Sequence, residues 1–101
     1  TVKDSKALGY VKELRNRAGV PMPTTISLEW LLDERAREFM WEGHRRVDLI
    51  RFGKFTDVNY PWTLKGGILN GKIALPSYRT IFPIIQSDLS SNSNLIQNEG
   101  Y

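Results

Sequence analysis

Cysteine is absent from this 101-residue chain, so neither a disulfide framework nor a cysteine-rich zinc site is available to it. Histidine occurs once, at His44. With Asp48 four residues later it offers at most half of a metal site, so a His–Asp hydrogen bond or solvent exposure is its expected role. No metal and no cofactor is expected. Long apolar runs are missing too: none approaches the roughly 20 residues of a membrane span. An excess of one charge sign is also lacking. The formal net charge is +3 despite a pI near 9.4. Basic and acidic residues are interleaved, which leaves no basic stripe to follow a phosphate backbone and predicts no nucleic-acid partner. Gly66, Gly67 and Gly71 lack the spacing and the Lys-Ser/Thr ending of a phosphate loop.

What is present reads as helix first and irregular chain afterwards. Ala7, Val11, Leu14 and Ala18 recur at helical spacing, predicting a first helix over residues 3–18. Lys12, Arg15 and Arg17 place cations towards its C-terminus. Gly19 is a natural stop, and Pro21 and Pro23 forbid continuation. Ser27 is the expected N-cap of a second helix, with Glu29 in its first turn. Leu28, Leu32, Ala36, Phe39, Gly43, Val47 and Ile50 then alternate by threes and fours, predicting one helix over residues 27–52 that Gly43 kinks or interrupts. Two antiparallel helices joined by a proline-bearing connector read as a helical hairpin of the tetratricopeptide kind. Residues 53–101 read as irregular: Pro61, Gly66, Gly67, Gly71 and Pro76 punctuate residues 55–80 and leave room only for short strands or turns, Ile81 to Ile85 is a brief apolar run, and Asp88 to Asn98, rich in Ser and Asn, reads as coil with at most one helical turn. The fold class is therefore mainly α: one hairpin, then an irregular C-terminal tail. Such a tail suits a chain lying across a larger helical body better than a self-contained domain.

Residues 33–54 hold six cationic and five acidic side chains. On one continuous helix, Glu34, Glu38 and Glu42 would form an acidic row, and like charges four apart need cations nearby. Arg45 falls within the arc of that row and is expected to gather the three carboxylates. Asp33–Arg37, Glu42–Arg46 and Asp48–Arg51 add ordinary helical pairs. Glu34 and Glu38 also meet the spacing of about 5–9.5 Å that glycoside hydrolysis requires. Arginines would hold both ionised where one must donate a proton, so no catalytic residue is assigned.

Trp30, Trp41 and Phe52, eleven apart, share one face of that helix and are expected to pack. Tyr60 and Trp62, in a loop with Asn59, are the better candidates for a sugar contact, because a pyranose presents apolar C–H faces that stack on rings.

Residues 34–53 read Glu-Arg-Ala-Arg-Glu-Phe-Met-Trp-Glu-Gly-His-Arg-Arg-Val-Asp-Leu-Ile-Arg-Phe-Gly. This run resembles the signature of SusD/RagB proteins, with Glu34, Arg35, Glu38, Glu42, Gly43, Arg45, Asp48, Leu49, Arg51 and Gly53 on matching positions. The close of the chain, Phe82-Pro83-Ile84 through Asn98-Glu99-Gly100-Tyr101, is similar to that family's C-terminal motif. Val47 stands where an aromatic is usual, and Ile85, Ser93 and Glu99 stand where proline is usual.

The resemblance implies a C-terminal portion of a larger, mainly helical surface lipoprotein of the outer membrane. It implies an oligosaccharide ligand and a SusC-like TonB-dependent transporter as partner, with no enzymatic activity. Membrane attachment would be through a lipid anchor outside this segment, and the principal glycan surface would come from upstream segments. The alternative from the residues alone is a tetratricopeptide-like module that binds peptides or scaffolds other proteins.

Overall fold

A computed structural model describes residues 1–101. It contains four α-helices and no strand: α1 (Ser5–Arg17), α2 (Leu28–Glu38), α3 (Arg45–Arg51) and α4 (Gln86–Ser91). Single 3₁₀ turns occupy Lys65–Gly67 and Ser77–Thr80. The mainly helical reading holds, and the irregular tail uses turns where short strands were an option, with α4 slightly longer than the single helical turn expected there. No helix is long and apolar enough to cross a membrane. The chain divides into two compact units, Thr1–Arg45 and Arg46–Tyr101.

In the first unit both helices start as their sequences dictate. The Asp4 carboxylate accepts the Ala7 N–H at 2.7 Å, and Ser27 Oγ accepts the Trp30 N–H at 3.0 Å, each satisfying a donor that the first helical turn leaves orphaned. Val11, Ile26 and Leu32 are buried, Leu32 completely.

The direction of the helices differs from expectation. Val2 N–H bonds the Ile26 carbonyl at 2.7 Å, Arg15 reaches Glu34, and Arg17 reaches Glu38. Starts lie beside starts and ends beside ends. An antiparallel hairpin would instead put Ile26 at the far end of α1, about 20 Å from Val2 at 1.5 Å per residue. Thus α1 and α2 run in the same direction, and residues 18–27 return along them. Arg15 steers that return by donating through Nε and a terminal nitrogen to the Pro21 carbonyl, both at 3.0 Å. The tetratricopeptide-like antiparallel hairpin is not the arrangement of this pair.

The single helix expected over 27–52 is also corrected. It ends at Glu38, and residues 39–44 form a turn before α3. Trp41 and Gly43 both take left-handed backbone angles, φ +70° and +76°. Gly43 tolerates that geometry at no steric cost, whereas Trp41 is strained there. Periodicity carries across the break because the apolar spacing does, while the backbone does not.

The second unit has little apolar core. α3 buries Leu49 and Asp48, and its Leu49 carbonyl accepts the N–H groups of both Lys54 and Phe55 as the chain turns away. Beyond it, Leu75 N–H bonds the Thr56 carbonyl at 3.2 Å. Gly71 is buried at φ +65°, and any Cβ there would run into the Trp62 backbone.

Candidate functional site

The signature segment forms an ion network whose partners differ from those expected. Glu34 is bracketed by Arg15 (3.2 Å) and Arg37 (2.7 Å), with its side chain 14% exposed. Burial raises its pKa, but hydrogen bonds and charge from Arg37 and Arg15 outweigh that and hold the carboxyl below its ordinary value of 4.5. Glu38 pairs with Arg17.

Glu42, off the helix, is mostly exposed and lies 4.0 Å from His44 Nε2, whose ring meets Phe39 edge-on at 5.0 Å. Arg45 gathers none of the three glutamates in the way expected of it. It donates to the Leu32 carbonyl at 2.8 Å and approaches Asp33 at 3.4 Å. The break at residues 39–44 is the physical reason, because it removes Glu42 and Arg45 from the helical row. It also separates Trp30, Trp41 and Phe52 from a common helical face, and Trp41 stands 94% exposed. Of the remaining signature residues, Arg35 lies over the Phe39 ring at 5.0 Å, Asp48 is buried and Arg51 is exposed. Arg15 and Arg17 were legible only as helix-end cations. Their pairing with α2 follows from the parallel course, which local spacing does not encode.

Tyr60 and Trp62 lie in a loop wrapped around a buried cation. Lys65 is 1% exposed, and its ammonium donates to the carbonyls of Asp57 and Tyr60 while sitting 4.6 Å from the centre of the Trp62 ring. Burial lowers its pKa, and the nearby Asp57 charge partly opposes that shift. Trp62 also stacks on Phe55 at 5.9 Å, and Tyr60 lies 5.7 Å from the Lys54 ammonium. The Asp57 side chain accepts the Asn59 N–H at 2.8 Å, a local turn that aims the loop carbonyls inward. Leu64, immediately before Lys65, is held at φ +65°, a strain that persists only where surrounding contacts over-determine it. Nothing in composition flagged Lys65, because lysine is among the residues least often buried.

The two halves of the C-terminal motif hold each other. The Gln97 amide accepts the Ile84 N–H and donates to the Ile84 carbonyl, both at 2.8 Å, so a side chain supplies what a neighbouring strand would supply. Asn98 donates to the Phe82 carbonyl at 2.7 Å, and the Tyr101 hydroxyl donates to the Ile81 carbonyl at 2.8 Å. Tyr101 meets Tyr78 edge-on at 4.9 Å.

The SusD family model matches residues 2–101. The chain belongs to the SusD family. It is 48% identical over 96 residues to the Starch-binding protein SusD of Bacteroides thetaiotaomicron. That alignment covers 94% of this chain and 17% of the relative, so the chain spans about a sixth of that protein's length. In this SusD-family chain the two motifs have distinct structural roles. The first locks α2 to α1 through arginine–glutamate pairs, and the second closes the irregular unit through amide–backbone pairs.

Proposed function

We infer that the polypeptide carrying this chain binds oligosaccharides at the outer-membrane surface and passes them to a SusC-like TonB-dependent transporter without cleaving them. The observation that carries this reading is the family match along residues 2–101 together with 48% identity to a protein named for starch binding. A lipid anchor outside residues 1–101 would hold it at the membrane. The non-enzymatic part rests on chemistry. Arginines clamp Glu34 and Glu38, and Glu34, held below its ordinary pKa, is a poor proton donor.

Within this chain, Tyr60 and Trp62 remain the aromatic candidates for a sugar contact. Their rings already touch Lys54, Phe55 and Lys65, so their contribution is that of a border and not of a principal platform. The peptide-binding module has no support from the course of α1 and α2.

Isothermal titration of the full-length protein with a panel of neutral and acidic oligosaccharides tests the reading. Saturable binding without product formation is expected. No binding across the panel, or cleavage abolished by Glu34→Gln, would overturn it.

A further inference from the structure

The second unit holds a feature that neither motif explains. The Arg46 guanidinium lies 3.9 Å from the centre of the Phe82 ring and 5.1 Å from that of Phe55. One terminal nitrogen donates to the Arg79 carbonyl at 2.7 Å. Two rings and a carbonyl thus hold the guanidinium, and the carbonyl takes up one terminal nitrogen.

Beside it is the Arg79 side chain, 5.7 Å from the centre of the Tyr78 ring. Neither arginine makes an ion pair, unlike Arg15, Arg17, Arg37 and Arg45. The two cations line an open groove of about 350 Å³ with Phe55, Leu75, Phe82 and Tyr101. Phe82 is 70% exposed.

A guanidinium presents a planar fork that matches a carboxylate edge-on, and apolar walls cannot fully satisfy its charge. A ligand that suits both parts has a planar anion on an apolar ring face. We propose that the groove formed by Arg46, Arg79, Phe55 and Phe82 is a subsite for the carboxylate of an acidic sugar, with the body of the sugar against the apolar wall of the groove. The proposal rests on the glycan-binding reading above and adds a ligand class to it. The groove is large enough for one sugar unit and open enough for a chain to continue from it.

The test titrates the full-length protein with trigalacturonate and with maltohexaose, before and after Arg79→Gln. This substitution leaves the backbone contact of Arg46 in place. A second variant, Arg46→Lys, keeps the charge but removes the fork. Trigalacturonate should bind, weaken at least about five-fold in each variant and weaken further with added salt, while maltohexaose affinity stays within about two-fold. If maltohexaose binds and trigalacturonate does not, the subsite is absent although the glycan reading stands. If trigalacturonate binds both variants as tightly as the parent, or if both sugars weaken equally, the assignment of the carboxylate to this groove is wrong. Binding of neither sugar overturns the subsite and counts against the glycan reading with it.

Discussion

Residues 1–45 bury three apolar side chains, Val11, Ile26 and Leu32, whereas residues 46–101 bury one, Leu49, together with Asp48 and Lys65. The first unit is held by helix-on-helix packing with arginine–glutamate pairs around it. The second is held by side chains bonded to backbone: Lys65 to Asp57 and Tyr60, Gln97 to Ile84, Asn98 to Phe82 and Tyr101 to Ile81. A segment without strands or long helices must still satisfy its peptide groups; here an ammonium and the Gln97 amide do so where the chain is part-buried, and Asn98 and Tyr101 do so at its exposed edge. An irregular segment can thus be tied together without a helical or sheet scaffold.

Substitutions separate the two modes of stabilisation, beginning with the largest effect. Leu32→Ala should cost about 2–5 kcal/mol, since it empties a fully buried position in the packed unit; urea denaturation of the full-length protein reads it directly. Lys65→Met should cost about 1–3 kcal/mol, because it leaves two carbonyls without their donor. Hydrogen exchange in the loop at residues 57–62 should rise with it, while α1 is unaffected. A Lys65→Met protein as stable as the parent would mean that the loop is held by its rings alone. Gln97→Ala should cost about 1–2 kcal/mol through two lost bonds to Ile84. Glu38→Ala sits at the bottom of the series, below about 0.5 kcal/mol, since its partner Arg17 is largely solvated.

Acid and alkali sharpen the contrast. Glu34 titrates below its ordinary value in the folded chain. Its stabilisation is therefore present above 4.5 and is lost as pH falls through the lowered folded value. Lys65 is also lowered, but it is a base. Between its folded value and 10.5 the unfolded chain binds more protons than the folded one, so the second unit gains stability as pH rises through that interval. Denaturation midpoints of the parent and of Lys65→Met, already apart at neutral pH, should therefore move further apart at alkaline pH. An alkaline gain that survives Lys65→Met would assign it to another group.

Much of the helical unit was legible. Ser27 caps where its type and position predicted, and Gly19 with Pro21 ends α1 where they had to. The break after Glu38 was not legible as a break, because Phe39, Gly43 and Val47 keep the three–four spacing while Trp41 and Gly43 reverse the sign of φ. Composition records which faces are apolar and not the backbone angle at a single residue. The parallel course of α1 and α2 was hidden for a similar reason. A connector of ten residues is long enough for either course, and the contacts that show which one is taken, Val2–Ile26, Arg15–Glu34 and Arg17–Glu38, join residues far apart in sequence. In the irregular unit, resemblance identified Gln97 and Asn98 as motif residues. Their partners lie 13 and 16 residues upstream, beyond the reach of any local rule. Lys65 was invisible because its value lies in what it replaces, a core.

The claim that side-chain clasps hold the irregular unit is tested most directly at one amide. Hydrogen exchange of the Ile84 N–H, measured in the full-length protein and in its Gln97→Ala variant, isolates the bond that Gln97 accepts at 2.8 Å. Exchange about ten-fold faster in the variant, equivalent to about 1.4 kcal/mol, with α1 amides unchanged, is the predicted result. An Ile84 amide that exchanges equally fast in both proteins would contradict the account.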